Sequence, residues 1–161
     1  GPGGAAQAPG GRGRIPPMRY VTDIHALNLT CSLGTTGDWH ASSRQWDHPR
    51  RLESEASPWG DRGIEAPFAA TLPGHPGEAY NVANHVRALA DMVAQGRFIP
   101  AQGMSQEFLD GDEYDEELFE HILMLKGSPR WDDIDRFMRK EYRLKWAKRV
   151  ACEEGASHGR P

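Results

Sequence analysis

Residues 24–40 read Ile24-His25-Ala26-Leu27-Asn28-Leu29-Thr30-Cys31-Ser32-Leu33-Gly34-Thr35-Thr36-Gly37-Asp38-Trp39-His40. Whether this stretch is strand or helix decides the fold class expected of the chain. Leu27, Leu29, Cys31 and Leu33 alternate with Asn28, Thr30 and Ser32, which is the period of a half-buried strand. Gly34 to Gly37 reads as a turn, and the chain from Asp38 to Trp46 reads as the returning arm. Folding back about that turn sets Cys31 opposite His40, Leu29 opposite Ser42 and His25 opposite Trp46. Cross-strand neighbours share a face at about 5 Å between Cβ atoms. A thiol beside an imidazole is a nucleophile with its base. With His25 on the same face and Asp38 nearby, Cys31, His40 and His25 are also candidate metal ligands, although zinc motifs show tighter spacings. Asp23 or Asp38 can orient a histidine from behind. The plainer reading of Cys31 is a small buried hydrophobe.

The bulk properties narrow the classes. The 161 residues leave room for one domain with a substantial core. A net charge of −4 argues against a generic nucleic-acid binder, whose domain is usually basic. No apolar run reaches the roughly 18 residues that span a bilayer, so no membrane association is expected. The two cysteines, Cys31 and Cys152, lie far apart in unlike settings. No disulfide framework is indicated, and a cytoplasmic location fits reduced thiols. No motif names a cofactor or a metal.

Working outward, residues 1–17 are rich in Gly, Pro and Ala and read as a disordered leader, with Gly1-Pro2 the remnant of a cleaved tag. Residues 18–150 read as one α+β domain and 151–161 as a flexible tail. Between Asp47 and Ala79, five prolines punctuate a long loop, pinned by Trp46, Trp59, Ile64 and Phe68, with a short strand or turn near Ile64 to Phe68. From Tyr80 the apolar period becomes helical. Val82, Val86, Leu89 and Val93 share a face, with Asn81 as cap and Gly96 as stop. Arg87 and Asp91 are an i,i+4 pair, read as exposed. A short helix near Ser105 follows. Asp115 reads as the cap of the next helix, and Ser128-Pro129 as the start of the last. The fold expected is an N-terminal β-hairpin or small antiparallel sheet followed by a C-terminal half of three to four helices.

Two further features bear on function. Glu141 falls inside an apolar stripe, where a carboxylate needs a partner, and Lys145 is four residues on. The final helix is strongly basic, with Arg136, Arg139, Lys140, Arg143, Lys145, Lys148 and Arg149. Arg139 and Arg143 are candidate phosphate contacts. The acidic run Asp110 to Glu120 is the competing partner for those cations.

The segments Arg19 to Asn28, Gly37 to His40, Val82 to Leu89, Ile134 to Met138 and Lys140 to Tyr142 together resemble a family of small uncharacterised bacterial proteins. By apparent gene company, its members resemble partners of abortive-infection-type nucleotidyltransferase toxins. The resemblance implies a toxin–antitoxin or phage-defence role and supplies no catalytic residues. The leading expectation is therefore an antitoxin-like component that binds a protein partner, with Trp39, Trp46 and Trp59 as contact residues. The alternatives are a small hydrolase or transferase using Cys31, His40, Asp38 and His25, and nucleic-acid contact through the basic helix.

Overall fold

A computed structural model describes residues 18–35, 37–41, 45–65, 72–78 and 80–158. The expected leader, Ser42 and Phe68 lie outside them. The fold is mixed α+β, with a small sheet and several C-terminal helices. Strands β1 (Arg19–Val21), β2 (Arg51–Glu53), β3 (Ile64–Glu65) and β4 (Val82–Ala83) lie in the order β2-β1-β4-β3. β1 runs antiparallel to β2 and parallel to β4, and β3 runs antiparallel to β4. The long middle loop thus contributes two strands and a 3-10 turn at Ser54–Ala56.

The N-terminal hairpin is not formed. The chain leaves β1 at Thr22, and Asp23–Leu27 is helix α1. Asp23 itself sits at φ +64, a left-handed conformation that Asp tolerates better than most residues. Ala26 and Leu27 are fully buried. Beyond the helix the alternation survives as burial, with Leu29 and Cys31 buried while Thr30 and Ser32 face out. This segment is a loop lying on the start of the next helix. A loop draped over a helix buries alternate side chains as a half-buried strand does, so period two did not distinguish them.

Helix α2 (His85–Ala94) begins three residues later than its apolar pattern suggests, because Val82 and Ala83 belong to β4. Its cap is Asn84, whose side chain accepts from the Arg87 N–H at 2.9 Å. Its C-terminus closes in a Schellman motif, with Gly96 N–H donating to Val93 O and Arg97 N–H to Met92 O. Gly96 stands at φ +76, and a Cβ there would meet the Arg130 side chain at 2.9 Å.

Every residue from His85 to Val93 is buried. The Arg87–Asp91 pair is therefore internal, with side chains 0% and 2% exposed, and not on the surface as its spacing suggested. Arg87 donates to the Asp91 carboxylate, to Tyr20 and Ser57 hydroxyls and to the Gly60 and Arg62 carbonyls. Asp91 accepts in addition from Tyr20 and Thr22, each at 2.7 Å. Burial pushes the Asp91 carboxyl above its ordinary value, against the pull of Arg87 and the two hydroxyls. A buried ion pair is tolerable when its remaining donors and acceptors are satisfied, as they are here.

Helices α3 (Met104–Glu107), α4 (Asp112–Leu123), α5 (Trp131–Tyr142) and α6 (Leu144–His158) complete the fold. Asp115 is not a cap. It lies inside α4, buried, and receives Lys145 Nζ at 2.9 Å. Lys145 also takes Asp112, so it does not partner Glu141. Glu141 instead accepts from the N–H groups of Gly103 and Ser105 and from the Ser105 hydroxyl, capping α3. The expected single last helix is broken at Arg143, which takes φ +52. α6 turns back on the core with Trp146 fully buried against Phe119 and Trp131, and continues to His158.

Substituting Arg87 by Met strands a buried carboxylate and several carbonyls. Urea unfolding should show a loss of about 3–5 kcal/mol. A loss below 1 kcal/mol would mean that the network carries little of the fold.

Candidate thiol site

Cys31 lies in the loop from Leu29 to Asp38, which covers the N-terminus of α2. One side chain fastens the loop at both ends. Asn28 Nδ2 donates to Trp39 O at 2.7 Å, and Asn28 Oδ1 accepts from Trp39 N–H at 3.3 Å. Gly37 packs so close to the Leu29 backbone that a Cβ would sit 3.0 Å from its carbonyl carbon. From the sheet side, Glu65 accepts from the Ser32 N–H at 3.0 Å and from its hydroxyl. Tyr114 from α4 reaches Leu33 O at 3.4 Å.

Inside the loop the sulfur meets His85, not His40. Cys31 Sγ lies 3.7 Å from Thr35 Oγ1, which is hydrogen-bonded to His85 Nδ1. His85 Nε2 lies 2.7 Å from Leu29 O. A carbonyl only accepts, so Nε2 carries the ring hydrogen and Nδ1 faces Thr35 with a lone pair. Burial alone would raise the Cys31 thiol pKa. The His85 ring and the N–H groups of Leu33 and His85 outweigh it, and the net shift is downward. The N–H of His85 is one of the unpaired donors of the first turn of α2, a position that favours a thiolate. The Phe108 ring packs against His85 at 5.1 Å between centroids, and Trp39 packs edge-on to Phe108.

The other residues singled out from sequence are dispersed. His40 is exposed at φ +52, edge-on to Trp39, and Asp38 is exposed. His25 is buried in α1 with both ring nitrogens engaged, Nε2 on Gln45 O and Nδ1 on the Arg50 N–H. The predicted shared face of His25, Cys31 and His40 does not exist, because it required the hairpin. The described residues contain no group of three His, Cys, Asp or Glu side chains able to hold a metal ion. Trp59 is a core residue whose indole N–H donates to His121 O at 3.0 Å. Trp39 donates to Pro100 O at 2.7 Å, and Trp46 packs edge-on to His25. Both are half-buried.

The basic C-terminal segment is largely neutralised within the fold. Arg136 pairs with Asp133, Arg139 with Asp135, Lys145 with Asp112 and Asp115, and Arg149 with Glu116. Among the described residues, Lys140, Arg143 and Lys148 have no ion-pair partner. Arg143 occupies the break between α5 and α6.

Sequence reasoning missed His85 and Thr35. His85 follows Asn84, a capping residue type, and a first-turn histidine was the available signal. The missing half was the loop geometry, which no local pattern encodes. Compared with known proteins, the chain matches no family model, no curated protein and no solved structure. No described helix is long and apolar enough to cross a membrane.

Replacing Asn28 by Ala removes the fastening of the loop without touching the thiol cluster. Alkylation of Cys31 in folded protein should accelerate several-fold, while Cys152, which is exposed, serves as an unchanged internal reference. An unchanged rate at Cys31 would show that Asn28 does not govern access.

Proposed function

We propose that the protein works through Cys31, as a small thiol-dependent hydrolase or transferase. One observation supports this reading above others. A buried sulfur lies beside His85 and two backbone N–H groups that favour its ionised form, with the Thr35 hydroxyl between it and the ring. Thr35 bridges the pair. The Cys31 proton passes to Thr35 Oγ1 as the Thr35 proton passes to His85 Nδ1. The thiolate then attacks an electrophilic acyl carbon, forming a C–S bond, and His85 returns the proton to the leaving group. Water or a second acceptor releases the acyl group from sulfur. The Leu33 and His85 N–H groups that face the sulfur are the donors offered to the charge that develops on the acyl oxygen. Cys31 is only 9% exposed, so access of an acyl substrate requires the Asn28-fastened loop to open.

The test is the pH profile of Cys31 alkylation in a Cys152→Ser background. A thiol with a depressed pKa is ionised at lower pH, so its labelling midpoint should lie below that of free cysteine. His85→Gln should move the midpoint up, and Thr35→Ala, which is less disruptive of the core, should move it the same way. A midpoint at or above that of free cysteine, unmoved by either change, would refute the thiol reading.

A second reading keeps the antitoxin-like role in a toxin–antitoxin or phage-defence system. It draws on the resemblance and on one structural observation. Among the described residues Ile99 is 79% exposed, Leu144 71% and Met124 51%, while the other large apolar side chains are buried or half-buried. Exposed apolar anchors suit a protein contact. Co-expression with a nucleotidyltransferase-type toxin encoded beside it should give one co-eluting species. Ile99→Asp combined with Leu144→Asp should separate it into two. Two peaks from the unaltered protein would remove this reading.

A further inference from the structure

A cleft of about 330 Å³ opens beside α1, away from the thiol loop, walled by His25, Gln45, Arg50 and Arg97 with Asp47 and His48 at its rim. We infer that this cleft is a binding site for a phosphoryl group, carried by a small molecule.

The argument begins at Asp23. Its carboxylate is 4% exposed and is shared by two guanidinium groups. Arg97 grips it with two bonds, Nε to Oδ2 at 2.6 Å and Nη2 to Oδ1 at 3.1 Å. Arg50 pairs with it more loosely, Nε to Oδ2 at 3.5 Å, with no hydrogen bond. Asp23 also accepts from the Ile24 N–H at 2.7 Å. One buried anion therefore serves two cations, and the second carboxylate at the cleft, Asp47, forms no ion pair with either of them among the described residues.

The geometry leaves donors available. Arg97 spends Nε and Nη2 on Asp23, and its Nη1 has no partner among the described residues. Arg50 likewise has both Nη groups without a described partner. Their side chains are 31% and 46% exposed, and both line the cleft. Arg97 is fixed at its base by the Schellman closure of α2, through its N–H on Met92 O. Arg50 is fixed by its backbone, whose N–H is held by His25 Nδ1 and whose carbonyl accepts from Thr22 N–H at 2.9 Å. Two anchored guanidinium edges converging on one cavity are the arrangement that recognises tetrahedral oxyanions. Asp23 acts through the arginines as a positioning residue. The left-handed backbone at Asp23 places its carboxylate behind them, and strained residues of this kind cluster at functional sites. Asp47 is the opposing carboxylate at the rim, and it weakens the site rather than forming it. The volume falls at the lower end of that of ligand pockets and exceeds what a lone ion needs.

The experiment is titration of inorganic phosphate into the full chain, followed by amide chemical shifts and by calorimetry at low salt. Shifts should concentrate at Gln45, His48, Arg50 and Arg97. Arg50→Ala, at a partly exposed position, should weaken binding roughly tenfold or more. Asp47→Asn should tighten it, an effect that a merely structural role for these residues would not produce. Arg139→Ala, on the far helix, should leave it unchanged. Acetate in a parallel titration separates a phosphoryl site from a general carboxylate site. Phosphate binding that is absent, indifferent to Arg50→Ala and Asp47→Asn, or weaker than acetate binding would overturn the assignment.

Discussion

The buried guanidinium of Arg87 is the interaction on which the rest of this structure depends. It ties α2 to β1 through Tyr20, to the chain before β3 through Gly60 and Arg62, and to the turn near Ser57. With strands of two or three residues, the sheet has few ladder bonds to position anything. The side-chain network supplies the missing registration. It also places both candidate sites. The start of α2 carries His85 under the Cys31 loop, and Asp91 holds Thr22 and so the turn into Asp23.

Charge in this molecule is mostly consumed internally, which separates the structural groups from the available ones. Arg87, Asp91, Asp115 and His121 are buried, and their partners lie within the fold. Burial holds His121 below the ordinary histidine range, and the nearby Arg62 and Arg87 push in the same direction. Lys145 is driven the opposite way, upward, chiefly by its bonds to Asp115 and Asp112. Against that background the thiol loop and the Arg50–Arg97 cleft differ from the rest. In the first, a reactive atom is surrounded by groups that favour its charged form. In the second, cations outnumber the carboxylate they share.

The legible parts of the sequence were those governed by local rules. The helical period after Tyr80, the stop at Gly96 and the apolar stripe of Ile134, Phe137, Met138 and Tyr142 all reflect contacts a few residues apart. The expectation of a mixed α+β fold with a small sheet and several C-terminal helices was right at that coarse level, although α1 interrupts the sheet's strands in sequence. The hairpin failed because alternation reports burial and not the partner that causes it. Arg87 and Asp91 were misplaced because a charged pair at helical spacing carries no mark of whether water or a carbonyl surrounds it. Cys31 was singled out as a thiol beside His40, and in the structure it lies near His85 instead. The wrong histidine was assigned because His85 lies 54 positions away in sequence, beyond any local pattern.

The break at Arg143 has an effect on the long-range field of the molecule. By folding α6 back on α4, it brings Lys145 and Arg149 onto Asp112, Asp115 and Glu116. Two of the cations that would have extended a basic prong are thereby paired, in addition to Arg136 and Arg139, which pair within α5. Asp110 and Glu113 remain exposed near the start of α4, as do Glu153 and Glu154 on α6. At moderate ionic strength this end of the protein offers little electrostatic steering to a nucleic acid or an anionic membrane.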